Sequence, residues 1–251
     1  MMSHHSLKVG VWLFVFTVLW YLTGNFFLKN VEKGQVSFDK SAHVARQQTV
    51  IGSGSRAVIR ALSTEVRGMQ LQLVFDPAAT QATLSNENRL VDASAQLIDG
   101  VFNIAISKEV AVRGGHLPGK IEIRLPSTVS KVDFFDVNDI QISGSLPEPS
   151  AELVLEFWGN GSRVLSEQLQ VNHLKLMSGC KTLAKENYCS LNATFNGQIQ
   201  LGKLEVNMQH GILVFSASTA PQQTLLNVGN DVIVTGRRDF LRSLSFSSAA
   251  Q

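Results

Sequence analysis

From Arg56 onward the chain shows almost no helical periodicity, and instead a succession of short runs in which apolar and polar residues alternate. MQLQLVF at 69–75, VFNIAI at 101–106, KIEIRL at 120–125 and AELVLEF at 151–157 begin the series. LEVNM at 204–208, ILVF at 212–215 and DVIV at 231–234 continue it. A period of two lays one apolar face on a core and leaves one polar face in solvent, so the sequence predicts an all-β domain. Pro77, Pro118, Pro126, Pro147, Pro149 and Pro221 all fall between these runs, where a missing amide proton harms no ladder.

A second signal precedes the domain. Between Lys8 and Lys29 stand 20 positions without a charge, VGVWLFVFTVLWYLTGNFFL, of which 15 are apolar and 7 are among the chain's 19 aromatics. At about 1.5 Å per residue they span roughly 30 Å, the thickness of a bilayer's hydrocarbon core. Trp20, Tyr21, Phe26 and Phe27 gather at the end where amphipathic rings favour the interface. A cleaved signal peptide needs a shorter run and small residues at a cleavage site, but the first alanine after the run is Ala42. The expected order is therefore a cytoplasmic N-terminus over 1–8, a transmembrane signal anchor over 9–28, a linker over 29–55, an all-β domain over 56–246 and a tail over 247–251. The lipid bilayer is the partner of residues 9–28. The glycines of the linker's IGSGS ending are followed by no GKS or GKT, so a phosphate loop is not expected there.

Flanking charge alone would keep the domain inside, with Lys8 and the amino terminus facing Lys29, Lys33, Lys40 and Arg46. Long domains translocate largely regardless of that count. The two cysteines, Cys180 and Cys189, have eight residues between them and would close a short ring in an oxidising compartment, stabilising by about 2–3 kcal/mol in the chain-entropy view. Reduced, inert thiols are the alternative. The expected location is a bacterial inner membrane, single-pass, with the domain in the periplasm or outside.

In the second half, apolar stretches end repeatedly in glycine, at Gly161, Gly179, Gly197 and Gly211. A period near 20 residues suits a β-solenoid, in which each coil lays short strands around a prism and stacked coils share a core. An antiparallel β-sandwich is the alternative, since its strands also recur at short intervals. Further motifs bear on this choice. They are LSNENRLVDASAQLIDGVFNIAI at 84–106, KIEIRLP at 120–126, and the glycine steps QISGS, WGNGS, MSGC and FNGQI. In order and spacing they resemble the bacterial family of auto-transporter adhesin head GIN domains over about residues 56–240. The resemblance implies a single-stranded, right-handed β-solenoid exposed on the envelope and without a known activity. The chain departs from that pattern in the stretch KTLAKENY between its cysteines and in lacking the full Gly-Ser-Gly repetition.

The formal charge is +2, from 22 Lys plus Arg against 20 Asp plus Glu, with no basic stripe of the kind phosphate neutralisation requires, so no nucleic-acid partner is expected. DFFDVND places Asp133, Asp136 and Asp139 three apart, a poor calcium cage on a strand whose side chains alternate, and a solvated turn is the expected role. His173 and His210 lack the close spacing of a structural zinc site. No metal, cofactor or catalytic set is expected. Trp158, Asp133 and Asp136 are the candidate ligand contacts, Trp158 being also suited to covering the core at a corner. His116 beside Arg113 reads as a surface turn, and Arg237, Arg238 and Arg242 as a solvated cap. Asn160 and Asn192 open N-glycosylation acceptor patterns, which matter only in a host that glycosylates secreted proteins. The expected function is a non-catalytic binding, adhesion or structural module with an envelope protein or glycan partner. The alternative is a polysaccharide lyase or hydrolase, in which Asp133 or Asp136 would meet Glu122 or Glu156 across adjacent coils.

Overall fold

The described parts of all seven alternating runs, Ala151 apart, lie in strands of the computed structural model, which describes residues 17, 20–21, 47–62, 70–87, 91–108, 120–148, 151–159, 161–179 and 190–246. The chain divides into two units, Met1–His43 and Val44–Gln251. In the first, Thr17, Trp20 and Tyr21 are helical, with Trp20 and Tyr21 73% and 69% exposed. No helix among the described residues is long and apolar enough to cross a membrane, and the rest of the 9–28 run lies outside them. Cys180, Cys189, His116, Arg113 and Asn160 also lie outside the described residues.

The second unit holds one mixed sheet of 14 strands. Its first seven are β1 (Gln47–Gly52), β2 (Arg56–Ala61), β3 (Gln70–Asp76), β4 (Ala82–Asn86), β5 (Val91–Ile98), β6 (Val101–Lys108) and β7 (Lys120–Pro126). They are followed by β8 (Lys131–Phe135), β9 (Asp139–Leu146), β10 (Glu152–Trp158), β11 (Ser162–Gly179), β12 (Ser190–Phe215), β13 (Gln223–Gly236), a short helix α1 (Arg238–Arg242) and β14 (Leu244–Phe246). β1 lies inside the stretch 29–55 read as linker, and pairs antiparallel with β4. β4 pairs antiparallel with β7, and β5 with β6, whereas the remaining pairings are parallel. The β5–β6 hairpin turns through Asp99 and Gly100, at φ 51° and 74°, the left-handed pair that a two-residue type I′ turn requires.

Parallel partners from β8 onward are roughly 20 to 30 residues apart in sequence, as in Glu152 with His173, Ser162 with Leu191 and Thr224 with Leu244. The longer strands serve two lines of pairing. The first half of β11 lies beside β9 and its second half beside β10, with a register shift between Ser166 and Gln168 where it bends. The glycine spacings of 14 to 18 in the sequence are thus shorter than the structural repeat. Gly161, Gly197 and Gly211 do have positive φ, but Gly179 does not. Its missing side chain instead leaves room for the Trp158 ring, 2.6 Å from where a Cβ would stand. Pro126 is also a correction. It ends β7 opposite Asp76 of β3 rather than falling between strands.

Inward side chains stack in the same register as the backbone. The rings of Phe134 and Phe157 stack 4.9 Å apart and nearly parallel, flanked by Val132, Leu155 and Leu176. Phe195 stacks on Phe215 at 5.6 Å, and Phe215 on Phe240 of α1 at 4.6 Å. Phe240 is fully buried, so α1 closes this end of the core with one aromatic side chain. Each such side chain adds on the order of 1.5–3 kcal/mol by leaving water.

Candidate functional site

The outward side chains of β2, β8, β10, β11 and β12 fall into rows, because parallel register puts equivalent positions side by side at about 4.8 Å. Arg56, Lys131, Val154, Lys175 and Glu205 form one row. Val58, Asp133, Glu156, Met177 and Asn207 form the next, and Arg60, Phe135, Trp158 and Gly179 a third. Opposite charges face each other between the first two rows, the cations Arg56 and Lys131 lying beside the carboxylates Asp133 and Glu156. Arg56 Nε donates to Asp133 Oδ2 at 2.6 Å, and Lys131 Nζ lies 3.3 Å from Asp133 Oδ1 and 2.6 Å from Glu156 Oε2. Asp133 is 1% exposed despite facing outward, since its flanking cations lie over it. The solvated-turn expectation for Asp133 is therefore corrected. The hydrogen bond to Glu156, helped by Asp133, holds the Lys131 ammonium above its ordinary range despite burial.

Farther along, Glu205 gathers Lys175 at 3.0 Å, Lys203 at 3.4 Å and His173 Nε2 at 3.6 Å, while His173 Nδ1 meets Glu152 at 2.8 Å. Burial raises the Glu205 carboxyl, but Lys175 and Lys203 outweigh it and the group sits below the usual range. Glu122, on β7, does not meet Asp133. Burial raises it, yet Arg124 and Lys120 together hold it low. Asp76 is lowered by the Ala78 amide first and by Arg124 second.

Asp136 lies past the end of β8 in a turn, at φ 56°, where its amide donates to the Trp158 carbonyl at 2.8 Å. Gly159, at φ 134°, faces it, and a Cβ there would stand 2.5 Å from Asp136 Oδ1. Asp133 and Asp136 thus do not converge. Among the described residues no cluster of His, Cys, Asp and Glu could hold a metal ion. Trp158 stacks on Phe135 at 6.1 Å and 7°, and Arg60 covers the far ring at 4.7 Å. These three make an outward aromatic and cationic stack beside the charged rows. Arg237 lies 3.4 Å from Asp239 at the start of α1, and Arg238 and Arg242 are exposed on the helix.

A second surface was not singled out from the sequence. Two recesses lie along β9, β11 and β12. One of about 340 Å³ is lined by Gln72, Gln141, Ser143, Gln168, Gln198 and Glu167. The other, about 510 Å³, has a floor of Leu146, Val171, Leu201 and Ala220 under a rim that includes Gln170, Gln200, Asn172 and Gln222. The signal for it in the sequence is the recurrence of Gln168-Leu-Gln170 as Gln198-Ile-Gln200, which the register places side by side.

No family model matches the sequence, and no curated protein does. Among solved structures, one from Clostridium sporogenes provisionally named a cell adhesion protein aligns over 77% of this chain and 100% of its own, at 7% identity and TM-score 0.27. One from Parabacteroides distasonis provisionally named a lipid binding protein aligns over 81% and 96%, at 8% identity and TM-score 0.33. An adhesin, also provisionally named, from Bacteroides fragilis aligns over 76% and 94%, at 11% identity and TM-score 0.33. Likenesses this distant assign no ligand and no activity.

Proposed function

We propose that the chain is a membrane-anchored envelope protein whose all-β domain, a right-handed β-solenoid of the kind the GIN head domains suggest, acts as a non-catalytic binding or structural module. Parallel pairing at intervals of roughly 20 to 30 residues supports the solenoid reading, because each coil then returns beside the previous one. The uncharged 9–28 run supports the anchor, and Cys180 with Cys189 supports a disulfide in an oxidising compartment.

One observation carries the non-catalytic reading. Asp133 and Glu156 are side by side, as a hydrolase would need, but Lys131 bridges both carboxylates. Asp133 is covered by Arg56 and Lys131 and is 1% exposed, so its carboxylate does not reach the surface where a substrate would lie, and Glu156 is held by Lys131. The pair is an ion-pair ladder that holds neighbouring strands in register. The test is an assay of envelope polysaccharide turnover by the wild type and by the Asp133→Asn, Asp136→Asn double variant. No turnover in either is expected. Turnover by the wild type that the double variant loses while remaining folded would establish the enzyme reading. Topology is tested by a phosphatase fused after Gln251, expected to be active only because it reaches the periplasm. An inactive fusion with an active cytoplasmic reporter would sink the orientation and the disulfide together.

A further inference from the structure

Resting on the binding-module reading, we propose that the Gln-lined surface of β9, β11 and β12 is a binding track for an uncharged polysaccharide chain. Its larger recess combines a floor of Leu146, Val171 and Leu201 with amide side chains at the rim. A pyranose ring has the same division, with a C–H face and a hydroxyl edge. Each hydroxyl both donates and accepts, and a Gln or Asn amide offers an acceptor oxygen and two donor hydrogens in one group. Ligand sites generally follow this plan of apolar lining with a few placed polar groups.

Repetition argues for a chain rather than a single sugar. Ser143, Gln168 and Gln198 share one row, and Ser145, Gln170 and Gln200 share another two residues along, so the two recesses are successive stations on the same strands. Rows are about 4.8 Å apart across strands, and positions two residues apart are about 6.5–7 Å along them. That lattice offers a polymer a hydrogen-bonding group at each sugar. Gly202 gives the Asn172 amide room at the corner of the larger recess, since a Cβ there would stand 2.4 Å from Asn172 Oδ1.

Charge selects the class of polymer. Neither recess is lined by Lys or Arg, and Glu148 and Glu167 are their only charged groups. A uronate, sulfate or phosphate polymer would meet carboxylates without a compensating cation, an unfavourable approach. The cations of the neighbouring rows are already committed to Asp133, Glu156 and Glu205. A neutral glycan encounters no such barrier.

The test is calorimetric titration of the full-length chain, in a sugar-free zwitterionic detergent, with hexasaccharides of glucose, mannose and N-acetylglucosamine, and with hexagalacturonate. At least one neutral hexasaccharide is expected to bind, with hexagalacturonate at least tenfold weaker. The Gln170→Ala, Gln200→Ala double variant is expected to lose at least tenfold in affinity at an unchanged melting temperature, and Trp158→Ala to lose none. Absence of binding by all three neutral sugars, or preference for the uronate, would overturn the neutral-glycan assignment. Sugar binding lost in Trp158→Ala but kept in the double variant would overturn this site and leave the binding module standing. Cleavage of a bound hexasaccharide would instead support the site and overturn the non-catalytic reading.

Discussion

At the level of single residues, Lys131 and Asp133 show how an outward-facing charge can become structural. Asp133 faces away from the core, yet Arg56 and Lys131 bury it, so its removal leaves two cations facing each other across one strand spacing. Asp133→Ala is expected to cost about 1–2 kcal/mol, read by urea denaturation, because Arg56 loses its carboxylate while Lys131 keeps only Glu156. Glu122 and Glu205 make a pH prediction. Their carboxyls are lower in the folded chain than the ordinary 4.5, so they add stability that is complete above that value and is lost as pH falls through their folded values. The urea midpoint is expected to drop between pH 5 and pH 3, and Glu122→Gln with Glu205→Gln to flatten that drop. An unaltered slope in the double variant would contradict it. None of these partnerships was legible in the sequence, where DFFDVND resembles a turn. The carboxylate of Asp133 is answered by Arg56, 77 positions earlier, and only strand register brings the two together.

Strands were legible wherever apolar and polar residues alternate for four or more positions. The method fails where both faces are covered, as in β2, whose Ala57, Val58 and Ile59 are buried in succession. It fails also in β12, 26 residues long, which runs unbroken through Gly197, Gly202 and Gly211. Those glycines are places where neighbouring strands approach closely rather than strand ends. At Gly211, with φ 125°, an added Cβ would lie 2.1 Å from the Leu191 carbonyl oxygen, and at Gly144, with φ 110°, 2.0 Å from that of Phe75. Gly144→Ala is therefore expected to cost about 2 kcal/mol or more, combining a left-handed backbone penalty with a displaced neighbour. A thermal melt that does not shift would remove close approach as the reason for this glycine. The candidate glycan track was hidden for a related cause. Gln-x-Gln is unremarkable in one strand and becomes a surface only when the same pair returns in the next.

In the all-β unit, the core is a column of stacked side-chain rows that needs closing at its ends. Phe240 does this at the C-terminal side, lying on Phe215 beneath α1, with Gly236 giving it space. Phe240→Ala is expected to cost about 3–4 kcal/mol and to expose the end of the column, raising the share of dimer or larger species in size-exclusion chromatography. A variant that stays monomeric and equally stable would show the helix to be an ornament. The order of strands has a mechanical consequence as well. β1 and β14 stand at opposite ends of the line β1, β4, β7, β3, β9, β11, β12, β13, β14. Tension applied between the chain's two ends pulls across the strands, so hydrogen bonds fail one at a time by unzipping instead of together in shear. Unzipping from the C-terminal side is expected to release 20 to 30 residues at a time, lengthening the chain in steps of about 70–100 Å. Under such a load it would pay out slack gradually rather than fail at once.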